Sequence, residues 1–78
     1  MSPLLANVKP LENYKLELFF SNGERRIFDV APYLSLGVIR ELEDATEFSK
    51  VRISFDTVEW ENEADIDPET LYEDSIPV

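Results

Sequence analysis

Residues 14–30 hold two runs with apolar residues at alternate positions, Tyr14-Lys15-Leu16-Glu17-Leu18-Phe19-Phe20 and Arg25-Arg26-Ile27-Phe28-Asp29-Val30. Ser21-Asn22-Gly23-Glu24 separates them. Asn-Gly between two period-2 runs is the strongest short-range signal for a β-hairpin. The apolar pattern also selects the register. A two-residue Asn-Gly loop would set Leu18 against Ile27, but Phe20 against Arg25 and Leu16 against Asp29. A three-residue Ser-Asn-Gly loop sets Tyr14 against Val30 and Leu16 against Phe28, with Lys15 opposite Asp29 on the other face. A one-residue slip exchanges the faces of a strand, so the pattern favours the three-residue loop with Gly23 left-handed.

The remaining elements are read around this hairpin. Leu4-Leu5 and Val8 to Pro10 suggest a short first strand, weakened by Pro3 and Pro10. Ala31-Pro32-Tyr33-Leu34 reads as a turn or short 3₁₀ segment, because proline fixes φ. Gly37 opens a helical stretch to Asp44, with Val38 and Leu42 on one face. A turn through Ala45 to Phe48 follows. Val51, Ile53 and Phe55 alternate with Arg52 and Ser54 as a strand, Asp56-Thr57 turns, and Val58-Glu59-Trp60-Glu61 begins the last strand. Asp67-Pro68-Glu69 is a helix start, with Asp at the cap, Pro at the first helical position and Glu in the first turn. The order is β-β-β-α-β-β-α. It predicts one α+β domain over residues 1–78, with a mostly antiparallel sheet of about five strands and one or two short helices on one face.

A chain of 78 residues buries only about 60% of its unfolded surface. Its nine aromatic residues are expected to supply much of a small core. With no cysteine, disulfide and thiol chemistry are excluded, which suits a cytoplasmic protein. The start, Met1-Ser2-Pro3-Leu4-Leu5-Ala6, has no basic leader region, and no stretch approaches a membrane-spanning length.

The net charge of −10 is unevenly placed. Residues 1–39 carry four basic and four acidic side chains, whereas residues 40–78 carry three basic and thirteen acidic ones. After Arg52 there is no positive charge. Such a field repels nucleic acid and anionic membranes and attracts cations and basic proteins.

The densest acidity is a row of odd-numbered residues: Glu59, Glu61, Glu63, Asp65, Asp67 and Glu69. If residues 59–66 are extended, these carboxylates share one face and Trp60, Ala64 and Ile66 the other. Three readings stay open. The row is a solvated face that guards a sheet edge, a surface that docks a basic protein, or a collector of divalent cations. The calcium-loop spacing fails: counted from Asp65, position 6 is Thr70 rather than Gly and position 12 is Ile76 rather than Glu. Zinc is disfavoured without Cys or His.

Catalytic signatures are thin. No Ser-His or Cys-His pair exists in a chain without histidine or cysteine, and no Gly-rich phosphate loop is present. The expectation is therefore no enzyme and no cofactor. Arg25 and Arg26, with Lys15 and Lys9 nearby, read as a solvated hairpin face with cross-strand ion pairs, the alternative being a small basic counter-patch.

Three blocks carry a family resemblance: Tyr14-x-Leu16-x-Leu18-x-Phe20-Ser21-Asn22-Gly23-Glu24, Phe28-Asp29-Val30-x-Pro32-Tyr33-Leu34, and Trp60-x-Asn62-x-Ala64-Asp65-Ile66-Asp67-Pro68-Glu69-x-Leu71-Tyr72. Together they resemble the bacterial "domain of unknown function 2442" family over nearly the whole chain. The family's usual pattern has Pro-Asn-Gly after the tryptophan. Glu61 and Glu63 stand in place of that Pro and Gly, which weakens the case for a tight turn at Asn62 and enlarges the acidic row. The resemblance implies a small α+β fold and no established activity. It implies that some relatives carry the module ahead of a helix-turn-helix domain, and that others neighbour a second small protein in an arrangement similar to toxin–antitoxin pairs. No helix-turn-helix pattern is read within these 78 residues, so DNA binding is not expected to carry over.

The expectation is an intracellular interaction module, monomeric or weakly self-associating. Its partner surface is Glu59, Glu61, Glu63, Asp65 and Asp67, facing a basic protein. The alternative is weak binding of a divalent cation or small ligand.

Overall fold

The hairpin forms in the three-residue register. In the computed structural model, which describes residues 3–78, β2 (Lys15–Phe20) and β3 (Arg25–Asp29) pair antiparallel with Leu16 opposite Phe28 and Lys15 opposite Asp29. The Gly23 N–H donates to Phe20 O at 3.0 Å, the Phe20 N–H to Glu24 O at 2.9 Å, and Gly23 sits at φ 90°. Leu16, Leu18, Phe20, Phe28 and Val30 all face inward and are buried. The N-terminal stretch reaches further than its prolines suggest, as β1 (Leu5–Leu11), antiparallel to β2 with a register shift between Leu5 and Asn7. Met1 and Ser2 lie outside the described residues.

Two features of the middle segment depart from the pattern. Gly37–Glu43 is a 3₁₀ helix rather than an α-helix. At three residues per turn, positions three apart eclipse. Ile39 therefore joins Leu42 against the core, and Val38, four residues from Leu42, is turned outward at 51% exposure. The predicted turn through residues 45–48 is instead a one-turn helix, α1 (Ala45–Phe48). Its N–H of Thr46 donates to the Asp44 carboxylate at 2.9 Å.

A second, two-stranded sheet follows, β4 (Arg52–Ser54) and β5 (Thr57–Glu59), with Ser54 opposite Thr57. Phe55 is thus the first of two loop residues, not an inward strand residue. α2 (Pro68–Glu73) starts where the Asp-Pro-Glu signal places it. The Asp67 carboxylate accepts from the N–H groups of Glu69 and Thr70 at 3.1 and 3.2 Å. The chain then returns as a sixth strand, β6 (Ile76–Pro77), on the outer side of β3. No sequence pattern marks it, because two residues cannot show a period. The main sheet is ordered β1-β2-β3-β6, and every paired strand is antiparallel. The α+β class holds, with six strands in two sheets among the described residues rather than about five in one.

The core lies between the hairpin, the second sheet and α2. Trp60, Phe28, Leu16, Leu18, Leu42, Leu71, Val30 and Val58 are its fully buried side chains. Among the described residues, no helix is long and apolar enough to cross a membrane.

Candidate functional site

The acidic row is built around Trp60. Its indole is fully buried and its Nε1–H donates to Phe48 O at 2.8 Å. The chain cannot stay extended beyond it. The Glu63 N–H returns to Trp60 O at 3.0 Å, and the Trp60 N–H donates to Ala64 O at 2.9 Å. A tight turn therefore exists at Asn62 despite Glu61 and Glu63, and residues 59–66 are not one extended strand. Asn62 supplies the reason. Its Oδ1 accepts from the Ala64 N–H at 3.0 Å and its Nδ2 donates to Val38 O at 3.0 Å. The first hairpin has the same construction, with Asn22 Oδ1 accepting from the Glu24 N–H at 3.0 Å. A three-residue loop preserves inside–outside alternation, so Trp60, Ala64 and Ile66 are buried while Glu61, Glu63, Asp65 and Asp67 remain exposed.

The shared construction has an energetic consequence. Glu63 occupies the position of Gly23, at φ 69°. A side chain in the left-handed region costs about 1 kcal/mol or more. Glu63→Gly is expected to stabilise the fold by about 0.5–1 kcal/mol, and Gly23→Ala to destabilise it by a similar amount. The midpoint of urea unfolding reads both.

The five residues of the expected partner surface have different surroundings. Glu59 pairs with Arg52 at 3.2 Å across the β4–β5 ladder. Glu61 lies 3.8 Å from Lys50, which Glu47 also holds at 3.3 Å. Those contacts, the hydrogen bond from Glu47 foremost, push the Lys50 ammonium pKa up. Asp67 is engaged in capping α2. Among the described residues, Glu63 and Asp65 have no ion-pair partner within 4.0 Å. No group of three His, Cys, Asp or Glu residues among those described converges as a metal site. A shallow apolar hollow of about 570 Å³ is lined chiefly by Pro10, Leu11, Tyr14, Ala45 and Phe48, and none of the five acidic residues lines it. Glu61, Glu63, Asp65 and Asp67 are exposed, and Glu59 is half-buried.

The residue that sequence reasoning missed is Phe55. It is 97% exposed and sits at φ 56°. A bulky side chain at positive φ is a genuine outlier, and a fully solvated phenylalanine adds nothing to the core. The alternation Val51, Ile53, Phe55 hid it, because the pattern could not show that pairing stops at Ser54. Its loop closes the end of β5 where the Thr57 hydroxyl donates to Ile66 O. Asp67 follows Ile66, and the Asn62 turn lies at the other end of the strand. At 3.3 Å per residue, Thr57 and Glu61 are about 13 Å apart. The exposed Phe55 and the acidic Asn62 turn thus mark opposite ends of β5.

The sequence model of a family described as "protein of unknown function (DUF2442)" matches residues 5–77. The chain belongs to the DUF2442 family. No curated protein and no solved structure gives a significant match. In this DUF2442 chain all three resemblance blocks are structural. The first is the hairpin, the second carries Val30 into the core with the 3₁₀ turn Ala31–Tyr33, and the third comprises the Asn62 turn and the capped α2. Phe55 lies outside all three.

Proposed function

We propose that the chain is a protein-interaction module that docks a basic partner through the edge running from Phe55 to the Asn62 turn. The observation that carries this reading is Phe55. A solvated aromatic ring held at a strained loop tip gives the free protein no stability, whereas aromatic anchors dominate binding energy at interfaces. The carboxylates of Glu61, Glu63 and Asp65, toward the other end of that edge, would steer a basic surface into register and make association salt-dependent. Glu59 and Asp67, already held by Arg52 and by the helix cap, would contribute field rather than direct contacts. On this reading the protein binds rather than catalyses, works in the cytoplasm as a monomer or weak homo-oligomer, and avoids nucleic acid because of its charge. Its narrower form, by analogy with the family's gene arrangement, is the acidic member of a toxin–antitoxin-like pair.

The test is affinity capture from native lysate at low salt, with mass identification of what elutes as salt rises. Capture is then repeated with two variants. Phe55→Gly removes the ring and relieves the backbone. It is expected to raise fold stability while weakening binding by about 30-fold, the equivalent of an anchor worth about 2 kcal/mol. Replacing Glu61, Glu63 and Asp65 with lysine is expected to slow association and flatten its salt dependence. Unchanged capture by both variants would show that the edge is ordinary solvated surface.

A further inference from the structure

The first hairpin loop carries a chemistry that the docking edge does not use. In an Asn-Gly pair the glycine nitrogen reaches the asparagine side-chain carbonyl with little steric obstruction. Asn22 is solvent-exposed and is followed by Gly23. Three hydrogen bonds hold the pair away from this reaction. The Gly23 N–H donates to Phe20 O at 3.0 Å. Asn22 Oδ1 accepts from the Glu24 N–H at 3.0 Å, and Nδ2 donates to Glu24 Oε2 at 2.6 Å. The attacking nitrogen and both ends of the side-chain amide are therefore occupied.

We propose that Asn22 is a latent deamidation site, closed in the folded chain by Glu24 and opened when that contact is lost. The step needs only water. The Gly23 nitrogen gives its proton to solvent and bonds to the Asn22 side-chain carbonyl carbon. The bond from that carbon to Nδ2 breaks, and Nδ2 leaves as ammonia with a proton from water. A five-membered imide results. Water then adds to either imide carbonyl and opens the ring to aspartate or isoaspartate, with no change of oxidation state.

Glu24 links this gate to the far end of the chain. Its carboxylate also accepts from the Tyr72 hydroxyl at 2.6 Å and from Arg26 Nη1 at 3.0 Å. Release of α2 thus loosens Glu24, and loosened Glu24 frees Asn22. The product cannot re-form the clamp, because a carboxylate replaces the Nδ2 donor beside the Glu24 carboxylate. The isoaspartate form also lengthens the loop backbone by one carbon. Modification at this position is therefore a one-way record of opening.

The molecule contains its own control. Asn62 has the same loop geometry, with Ala64 N–H to Oδ1 at 3.0 Å, but Glu63 follows it. The experiment incubates the full chain at mildly alkaline pH and measures the amide-to-acid mass change peptide by peptide. Three samples are compared: folded wild type, urea-unfolded wild type and folded Glu24→Ala, with Trp60 fluorescence reporting the folded fraction. Asn22 is expected to react at least about tenfold faster unfolded than folded, as gating by local opening requires. Glu24→Ala is expected to speed the folded reaction several-fold, and Glu24→Gln, which keeps an acceptor for Asn22, to restore protection. Asn62 is expected to lag behind Asn22 in urea. Equal folded and unfolded rates at Asn22 would overturn the proposal, and so would a Glu24→Ala variant that is folded yet unchanged in rate.

Discussion

Trp60→Ala is expected to destabilise the protein by about 3–5 kcal/mol, the range for truncating a large buried aromatic residue. Three features place Trp60 at the top of that range. The side chain is completely buried. Its ring centroid lies 5.9 Å from that of Phe48, which in turn meets Tyr14 edge-on at 5.5 Å, so the cavity would open in the middle of an aromatic row. The indole N–H is bonded to the Phe48 carbonyl, which would be orphaned in the interior. At about 0.05–0.15 kcal/mol per residue, a domain of this length has about 4–12 kcal/mol in total. The variant is therefore expected to be largely unfolded at ambient temperature or to melt far below the wild type. Urea titration followed by circular dichroism measures this. Trp60→Phe separates the contributions, since it keeps most of the apolar volume and loses the donor. A cost below about 1 kcal/mol for Trp60→Ala would mean that the second sheet does not depend on this ring.

Arg26→Ala is expected to cost about 2–3 kcal/mol, through lost charge-assisted hydrogen bonds and a lost cation–π contact. Arg26 is only 12% exposed. It donates to the Ser75 hydroxyl at 2.6 Å, to Ser75 O at 2.8 Å and to Glu24 at 3.0 Å, and its guanidinium lies 4.5 Å from the centre of the Tyr72 ring. One side chain thus ties the hairpin to the end of α2 and to β6. Arg26→Lys is expected to recover little, because an ammonium lacks the planar fork that reaches three acceptors. Amide exchange at Val78, whose N–H donates to Arg25 O at 3.0 Å, should rise in both variants. Acid should loosen the same clamp. The Tyr72 hydroxyl, then Asn22 and Arg26, hold the Glu24 carboxyl below its ordinary pKa. Its contribution is present above the unfolded carboxyl's pKa and is lost as pH falls through the lower, folded value. Protected Val78 exchange in Arg26→Ala would show that β6 is held by its ladder alone.

The parts legible in the sequence are those set by local chemistry. The Asn-Gly loop, the register chosen by Leu16 and Phe28, and the Asp67-Pro68 helix start all follow from a few adjacent residues. The alternation around Trp60 was also legible, although the path of the backbone was not. The pattern could not show that Asn62 turns the chain without a following glycine, because the deciding contact, to the Val38 carbonyl, comes from 24 residues away. The 3₁₀ winding of Gly37–Glu43 was hidden for a related reason, since Ile39 and Val38 are equally apolar and only tertiary packing chooses between them. Of the candidate site, charge and exposure were readable. The existing partners of Glu59, Glu61 and Asp67 were not, and neither was Phe55.

The two-residue strand β6 also sets an order of events. The hairpin of β2 and β3 and that of β4 and β5 each close over a few residues, but the rung between Ile27 and Ile76 joins positions 49 residues apart. Closing so long a loop costs more chain entropy, which two paired rungs, the Val78 bond to Arg25 O and the contacts of Arg26 and Tyr72 across to the hairpin must offset. The local hairpins are thus the early-forming pieces, and the C-terminal rung is the last stitch in and the first out. Tyr72 and Ser75 go with it, so the least durable contact in the sheet governs how long Glu24 keeps its hold on the first loop.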